Sequence, residues 1–151
     1  MFDLFPLSDE EIASRKAKRE AAFRRPSISS LSIGIEETNP KLKTQKIAAL
    51  NDSLRSHIFS AGKNKVVMTP SVEELNFPDK IKLLNLVASF DDFSKDNNPH
   101  GERDFGKIAF QGKAYFWKID YYDNSLKFGS DDPSDSNITT RVLTLLHTSE
   151  Y

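Results

Sequence analysis

Cysteine is absent from the 151-residue chain. That excludes a disulfide framework, cysteine-ligated zinc, an iron–sulfur cluster and a thiol nucleophile. No apolar run approaches the roughly 18 residues that a membrane-spanning helix requires, so an integral membrane protein is not expected. The first residues carry acids and prolines where a signal peptide has a basic patch and an apolar stretch, and the expected location is cytoplasmic. Charge of one sign is missing too: Lys+Arg 21 against Asp+Glu 22 leaves a formal net charge of -1. A chain so balanced is not built to coat nucleic acid, and direct nucleic-acid binding is not expected. There is no P-loop and no dinucleotide fingerprint. Ser130 follows Gly129, but the second flanking glycine of a nucleophile elbow is missing. No cofactor and no resident metal are expected.

With 38% hydrophobic and 28% charged residues, a chain of this length buries about two-thirds of its unfolded surface as one α+β domain. Charge is uneven along it. Residues 1–90 hold 14 basic and 11 acidic side chains, whereas residues 91–151 hold 7 and 11. Residues 8–24 read as a charged surface helix: Ser8 and Glu11 form a capping box, Asp9 to Glu11 sit at its positive end, and Arg24 and Arg25 at its negative end. Pro26 to Lys43 reads as a linker or strap. The organisation expected is therefore an N-terminal helix and linker over 1–43 and an α+β domain over 44–151. In that domain Ile47, Leu50, Leu54 and Ile58 recur at helical spacing, with Gly62 as a stop. Lys65 to Met68 is a short strand candidate, and a second helix is expected from about Pro78 to Phe93.

The period then changes. Residues 107–111 and 113–122 are rich in aromatic and β-branched side chains and flank Gly112, which predicts an antiparallel hairpin. Tyr115, Trp117, Ile119 and Tyr121 share its core face; Phe116, Lys118, Asp120 and Tyr122 share the other, which is expected to look toward solvent or a cleft. The segment from Ile138 to His147 favours a third strand by its β-branched content. The architecture expected is a short antiparallel sheet, hairpin plus C-terminal strand, covered by two helices, with an N-terminal helical arm. Its core would hold Trp117, Tyr115, Ile119, Ile108, Phe110, Leu54, Ile58, Leu84 and Val87.

Several stretches carry a resemblance. They are Ala48-Leu-Asn-Asp-Ser-Leu-Arg55, Asn97-Asn-Pro-His-Gly-Glu-Arg-Asp-Phe-Gly106, Phe116-Trp-Lys-Ile-Asp-Tyr-Tyr-Asp123, Gly129-Ser-Asp-Asp-Pro-Ser-Asp135, Thr140-Arg-Val-Leu-Thr144 and the terminal Glu150-Tyr151. In that order they resemble a bacterial domain family of unknown function, met mainly on plasmids and other mobile elements, over about residues 44 to 151. The resemblance leads one to expect histidine where Arg103 stands; were that histidine catalytic, this member would be impaired. The genetic setting implies traffic between mobile DNA and host defence.

Three constellations carry possible chemistry. His100, Glu102 and Asp104 lie in the turn before the hairpin, where they suit either metal or acid–base work, or an Arg–carboxylate clasp made by Arg103 or Arg141. Lys118 and Asp120 are two apart on one strand face, as a catalytic pair or a plain salt bridge. Asp120, Asp123, Asp131, Asp132 and Asp135 gather five carboxylates into sixteen residues. Their spacing does not fit a twelve-residue calcium loop. They suit either an acidic surface that imitates a phosphate row or a solvated turn with Asx caps.

The leading expectation is a non-enzymatic interaction protein of a mobile element. It would inhibit a host defence complex, a protein or ribonucleoprotein assembly such as a CRISPR effector or restriction enzyme, through Asp120, Tyr122, Asp123, Asp131, Asp132 and Asp135. The alternative is a metal-assisted hydrolase of nucleic acid or nucleotide that uses His100, Glu102, Asp104, Lys118 and Asp120. A third reading, nucleic-acid binding through the basic 15–25 helix, has only Phe23 as an aromatic.

Overall fold

Asn39 opens the first helix of the computed structural model, which describes residues 39–96 and 98–151. The arm expected over residues 8–24 and the strap expected over 26–43 lie outside the described residues as far as residue 38; the strap's last residues, 39–43, instead open that helix. Helix α1 spans Pro40–Ser56, four residues earlier than hydrophobic spacing alone suggests. Asn39 Oδ1 accepts the Lys41 amide, and Pro40 occupies the first turn, where its missing N–H costs nothing. Asn-Pro reads in sequence as a turn; here it is a helix start. The helix ends at His57, and Gly62, with φ 68, serves a later turn.

Strand β1 (Lys65–Met68) leads through Thr69 into the one-turn helix α2 (Pro70–Glu73), which hydrophobic periodicity is too short to reveal. Helix α3 spans Phe77–Ala88, with Asn76 Oδ1 accepting the Asp79 amide. It stops at Ser89, short of the expected Phe93. The chain turns there so that Phe90 and Phe93 pack edge-on against Trp117, at ring-centroid distances of 5.4 and 6.3 Å. Strands β2 (Phe105–Phe110), β3 (Lys113–Asp123) and β4 (Thr139–His147) follow, closed by a 3-10 turn at Thr148–Glu150.

The sheet order is β1-β4-β3-β2. It is mixed, not antiparallel throughout: β1 runs parallel to β4, with Val66 opposite Leu143, while β4–β3 and β3–β2 are antiparallel. A hairpin is legible from its turn, but a parallel edge strand joins the sheet only through a distant crossover that local pattern does not encode. Tyr115, Trp117, Ile119, Leu143 and Leu145 on one face share a core with Ile47, Leu54 and Ile58 of α1 and its end and with Leu83, Leu84 and Val87 of α3. Phe110 lies half-buried at its margin.

The opposite face is buried as well. Lys118, Asp120 and Tyr122 are 3%, 5% and 7% exposed, and Val67, Tyr122 and Val142 form a second apolar cluster with Leu126. Those side chains do not reach solvent, one of the two surroundings expected for them. Alternation assigns a side chain to a face but says nothing of its depth.

Two features set tolerances. Gly106 of β2 lies under Trp117 and Phe90; a methyl group there would meet the indole nitrogen and come within 2.7 and 2.8 Å of Phe90 ring carbons. Gly106→Ala is therefore expected to lower stability by about 1–3 kcal/mol or more, read by urea denaturation. At the C-terminus Glu150 supplies a cap that α2 lacks. Its Oε1 accepts the Thr69 hydroxyl at 2.6 Å and the His147 amide at 3.0 Å, and Oε2 accepts the Ser71 amide at 3.1 Å. Burial pushes this carboxyl up, but the Thr69 hydroxyl and the Ser71 and His147 amides outweigh it and hold the group below the ordinary glutamate range. A depressed folded value means stability that is present above the unfolded value and lost as pH falls through the folded one. Glu150→Gln is expected to lower the unfolding midpoint at neutral pH, with the gap to wild type closing below about pH 4.3.

Candidate functional site

The Asn98 turn is held by its own side chain. Asn98 Oδ1 accepts the Arg103 amide at 2.7 Å and the Asn98 carbonyl accepts the Gly101 amide at 3.2 Å. Gly101 takes φ 76, and Arg103 is itself left-handed at φ 55. The tight turn drives Glu102 inward to 5% exposure, where it meets residues from three other elements.

Asn51, fully buried on α1, is the hub. Its Nδ2 donates to the Glu102 carbonyl at 2.9 Å and to the Tyr121 hydroxyl at 2.8 Å, and its Oδ1 accepts Arg141 Nε at 2.7 Å. The Tyr121 hydroxyl donates onward to Glu102 Oε1 at 2.8 Å. The Arg141 guanidinium lies over the Tyr121 ring at 5.1 Å and donates through Nη2 to the Pro133 carbonyl at 2.5 Å. Burial pulls the Arg141 pKa below its ordinary value, and the opposing fields of Tyr121 and Glu102 only partly restore it. Sequence reasoning passed over Asn51, although it was legible: positions 47, 51, 54 and 58 form one helical stripe, and a polar residue on an apolar stripe needs a partner.

A second clasp lies beside it. Asp52 Oδ1 takes Arg55 at 2.5 Å and Oδ2 takes Arg103 at 2.9 Å. The Arg55 guanidinium sits 4.9 Å from Phe93 and 5.0 Å from Trp117, and Arg103 covers Phe93 at 4.9 Å. Burial lowers the Arg55 pKa. Arg103 thus has an anchoring role of its own, pairing with Asp52 and capping an aromatic stack.

The residues set out for a hydrolase do not converge. Glu102 joins Tyr121 on the helix-covered face of the sheet. Lys118 and Asp120, which pair at 2.5 Å with side chains 4% and 7% exposed, belong to the opposite face. Asp104 is buried and its carbonyl accepts the Ile119 amide, and His100 is half-buried in the turn. Among the described residues no group of three His, Cys, Asp or Glu side chains is placed to hold a metal ion.

The acidic loop turns much of its charge on itself. Asp123 Oδ1 accepts the Ser125 hydroxyl at 2.6 Å and the Ser125 and Lys127 amides. The Ser125 hydroxyl, aided by those amides, holds its carboxyl below the usual range. Asp132 Oδ1 accepts the Ser134 hydroxyl and amide, and Asp135 Oδ1 the Asn137 amide. Asp131 is exposed, whereas Asp120 and Tyr122 are buried in the sheet. Phe128 and Ile138, 66% and 42% exposed, bracket the loop; sequence reasoning missed both because exposure of an apolar side chain has no periodic signal in a loop.

The DUF3768 family, described as a protein of unknown function, matches residues 68–150. No curated protein and no solved structure matches the chain. No helix among the described residues is long and apolar enough to cross a membrane.

The hub predicts a graded loss. Asn51→Ala removes the amide that Arg141 Nε, the Glu102 carbonyl and the Tyr121 hydroxyl share and is expected to cost about 3 kcal/mol or more. Arg103→Ala, at an exposed ion pair and ring contact, is expected to cost about 1 kcal/mol. Parallel urea titrations compare them.

Proposed function

The chain belongs to the DUF3768 family of proteins of unknown function, and on that premise we propose that it is a non-enzymatic interaction protein that presents the 123–138 loop to a macromolecular partner. The observation that carries this reading is the loop itself. Its Asx and hydroxyl contacts fix its shape while Phe128, Ile138 and Asp131 remain outward. A preordered loop loses little entropy on binding, and an exposed aromatic on it is the kind of side chain that dominates an interface. Asp131 is the outward carboxylate, Asp123, Asp132 and Asp135 are half-buried beside it, and Asp120 and Tyr122 are buried in the strand beneath.

Resemblance to a domain family of bacterial plasmids and other mobile elements favours a host defence complex in the cytoplasm as the partner class. The role is anti-CRISPR or antirestriction: the acidic surface occupies a basic nucleic-acid channel. Opposite charge speeds encounter, and added salt weakens it.

The loop allows charge and shape to be separated. Asparagine keeps the Oδ1 acceptor, so changing Asp131, Asp132 and Asp135 together to asparagine preserves the turns and removes the charge. Phe128→Ala removes the apolar contact alone. In bacteria carrying a defined CRISPR or restriction system, the wild-type chain is expected to raise plasmid establishment. Each variant is expected to reduce that protection about tenfold or more with an unchanged unfolding midpoint. Full protection by both variants, or none by wild type against either class of system, would overturn the reading.

A further inference from the structure

Between the end of α1, the Ser60–Asn64 turn and the start of β4 lies a cleft of ≈ 200 Å³. That is smaller than the sites that hold drug-sized cofactors, at about 300–1,000 Å³. Arg141 forms its floor, exposed His57 and Lys63 stand at its mouth, and Leu54 walls one side. No Asp or Glu lines it, although the chain has more acids than bases. We propose that this cleft binds the phosphate group of a small ligand. The proposal does not depend on what partner the 123–138 loop takes.

Two observations carry it. Arg141 is 2% exposed, yet it makes no ion pair within 4 Å among the described residues. Its Nε and Nη2 are spent on the Asn51 side chain and the Pro133 carbonyl, both neutral; among the described residues Nη1 makes no hydrogen bond, and the Glu102 carboxylate favours the cation from a distance beyond ion-pair contact. A buried guanidinium with a free donor at the floor of a cleft attracts an anion. Lys63, second, donates to Asn124 Oδ1 at 3.3 Å and to the Ser136 carbonyl, again neutral groups, which leaves its charge uncompensated.

Helix α1 ends at this cleft, and a helix C-terminus repels anions. The Ser53 and Leu54 carbonyls of its last turn accept hydrogen bonds, however. The Ser53 carbonyl takes the His57 amide at 3.1 Å, lies 2.9 Å from His57 Nδ1 and accepts the Ser56 hydroxyl, which blunts that field. Phosphate is favoured over carboxylate because the cations stand at floor and mouth. A tetrahedral dianion can meet donors from both, whereas a planar carboxylate is best met by one bidentate fork.

Backbone-amide NMR of the full chain, titrated with sodium phosphate, sodium acetate and sodium chloride at matched ionic strength, tests this. Saturable phosphate-induced shifts at Lys63, Asn64, Thr139 and Arg141, with acetate binding several-fold more weakly, are expected. Lys63→Gln, which removes the charge and keeps a hydrogen-bonding head, is expected to weaken phosphate binding about tenfold without changing the unfolding midpoint. Arg141→Lys is expected to weaken it further, and if that variant does not fold, Lys63→Gln decides alone. Phosphate shifts no larger than those of chloride, acetate binding as tight as phosphate, or unchanged affinity in Lys63→Gln would overturn the proposal.

Discussion

A buried guanidinium held by neutral acceptors is the constraint on which this fold turns. Arg141 is 2% exposed in the central strand β4, and taking its charge out of water costs several kcal/mol, to an order of magnitude. Asn51 answers that cost from α1 through one hydrogen bond and commits its other two to the Glu102 carbonyl and the Tyr121 hydroxyl. Four separate pieces of chain are thereby fixed to one amide: the helix, the Asn98 turn, β3 and β4. Because every member leans on another, the register of α1 against the sheet is specified more sharply than its aliphatic stripe alone would allow.

The sheet then acts as a divider. Strand alternation sends Tyr121 and Arg141 to the helix-covered side and Lys118 and Asp120 to the other. Glu102 follows Tyr121. Any chemistry requiring Glu102 and the Lys118–Asp120 pair to meet one substrate atom would have to act through the sheet. The Arg141 network and the Lys118–Asp120 ion pair are separate clusters on opposite faces of the sheet.

Much of this was legible in the residues, and the misses share a physical origin. Periodicity reports facing and assigns Trp117, Ile119, Leu54 and Val87 to the core, and all four are buried. The hairpin announced itself at Gly112, and the β-branched run before His147 is a strand. Depth has no local sign: two-residue spacing puts Lys118 and Asp120 side by side, but nothing local says that both faces of their strand are buried. Partnership across the chain was invisible too. The parallel pairing of β1 with β4, and the cap that Glu150 gives α2, join segments about 80 residues apart. Asn51 alone had a local sign, its place on an apolar stripe.

The acidic loop and the cationic cleft are one construction. Arg141 reaches the loop through the Pro133 carbonyl and Lys63 through the Ser136 carbonyl, so the cations that give the cleft its charge also hold the loop's backbone. Among the described residues no carboxylate of the loop pairs with either cation, and Asp123, Asp132 and Asp135 are engaged with their own following residues. Lys43, at 3.8 Å from Asp132, is the cation that does approach them, and it comes from α1. Local turns therefore keep opposite charges apart over a short distance: a negative outer surface and a positive recess beneath it. Had the aspartates folded inward onto Arg141 and Lys63, both fields would have vanished into ordinary ion pairs. Serine and asparagine placed two residues after each of these aspartates, as Ser125, Ser134 and Asn137, keep them from doing so, because a side chain that accepts its own i+2 amide has little reach left for anything deeper.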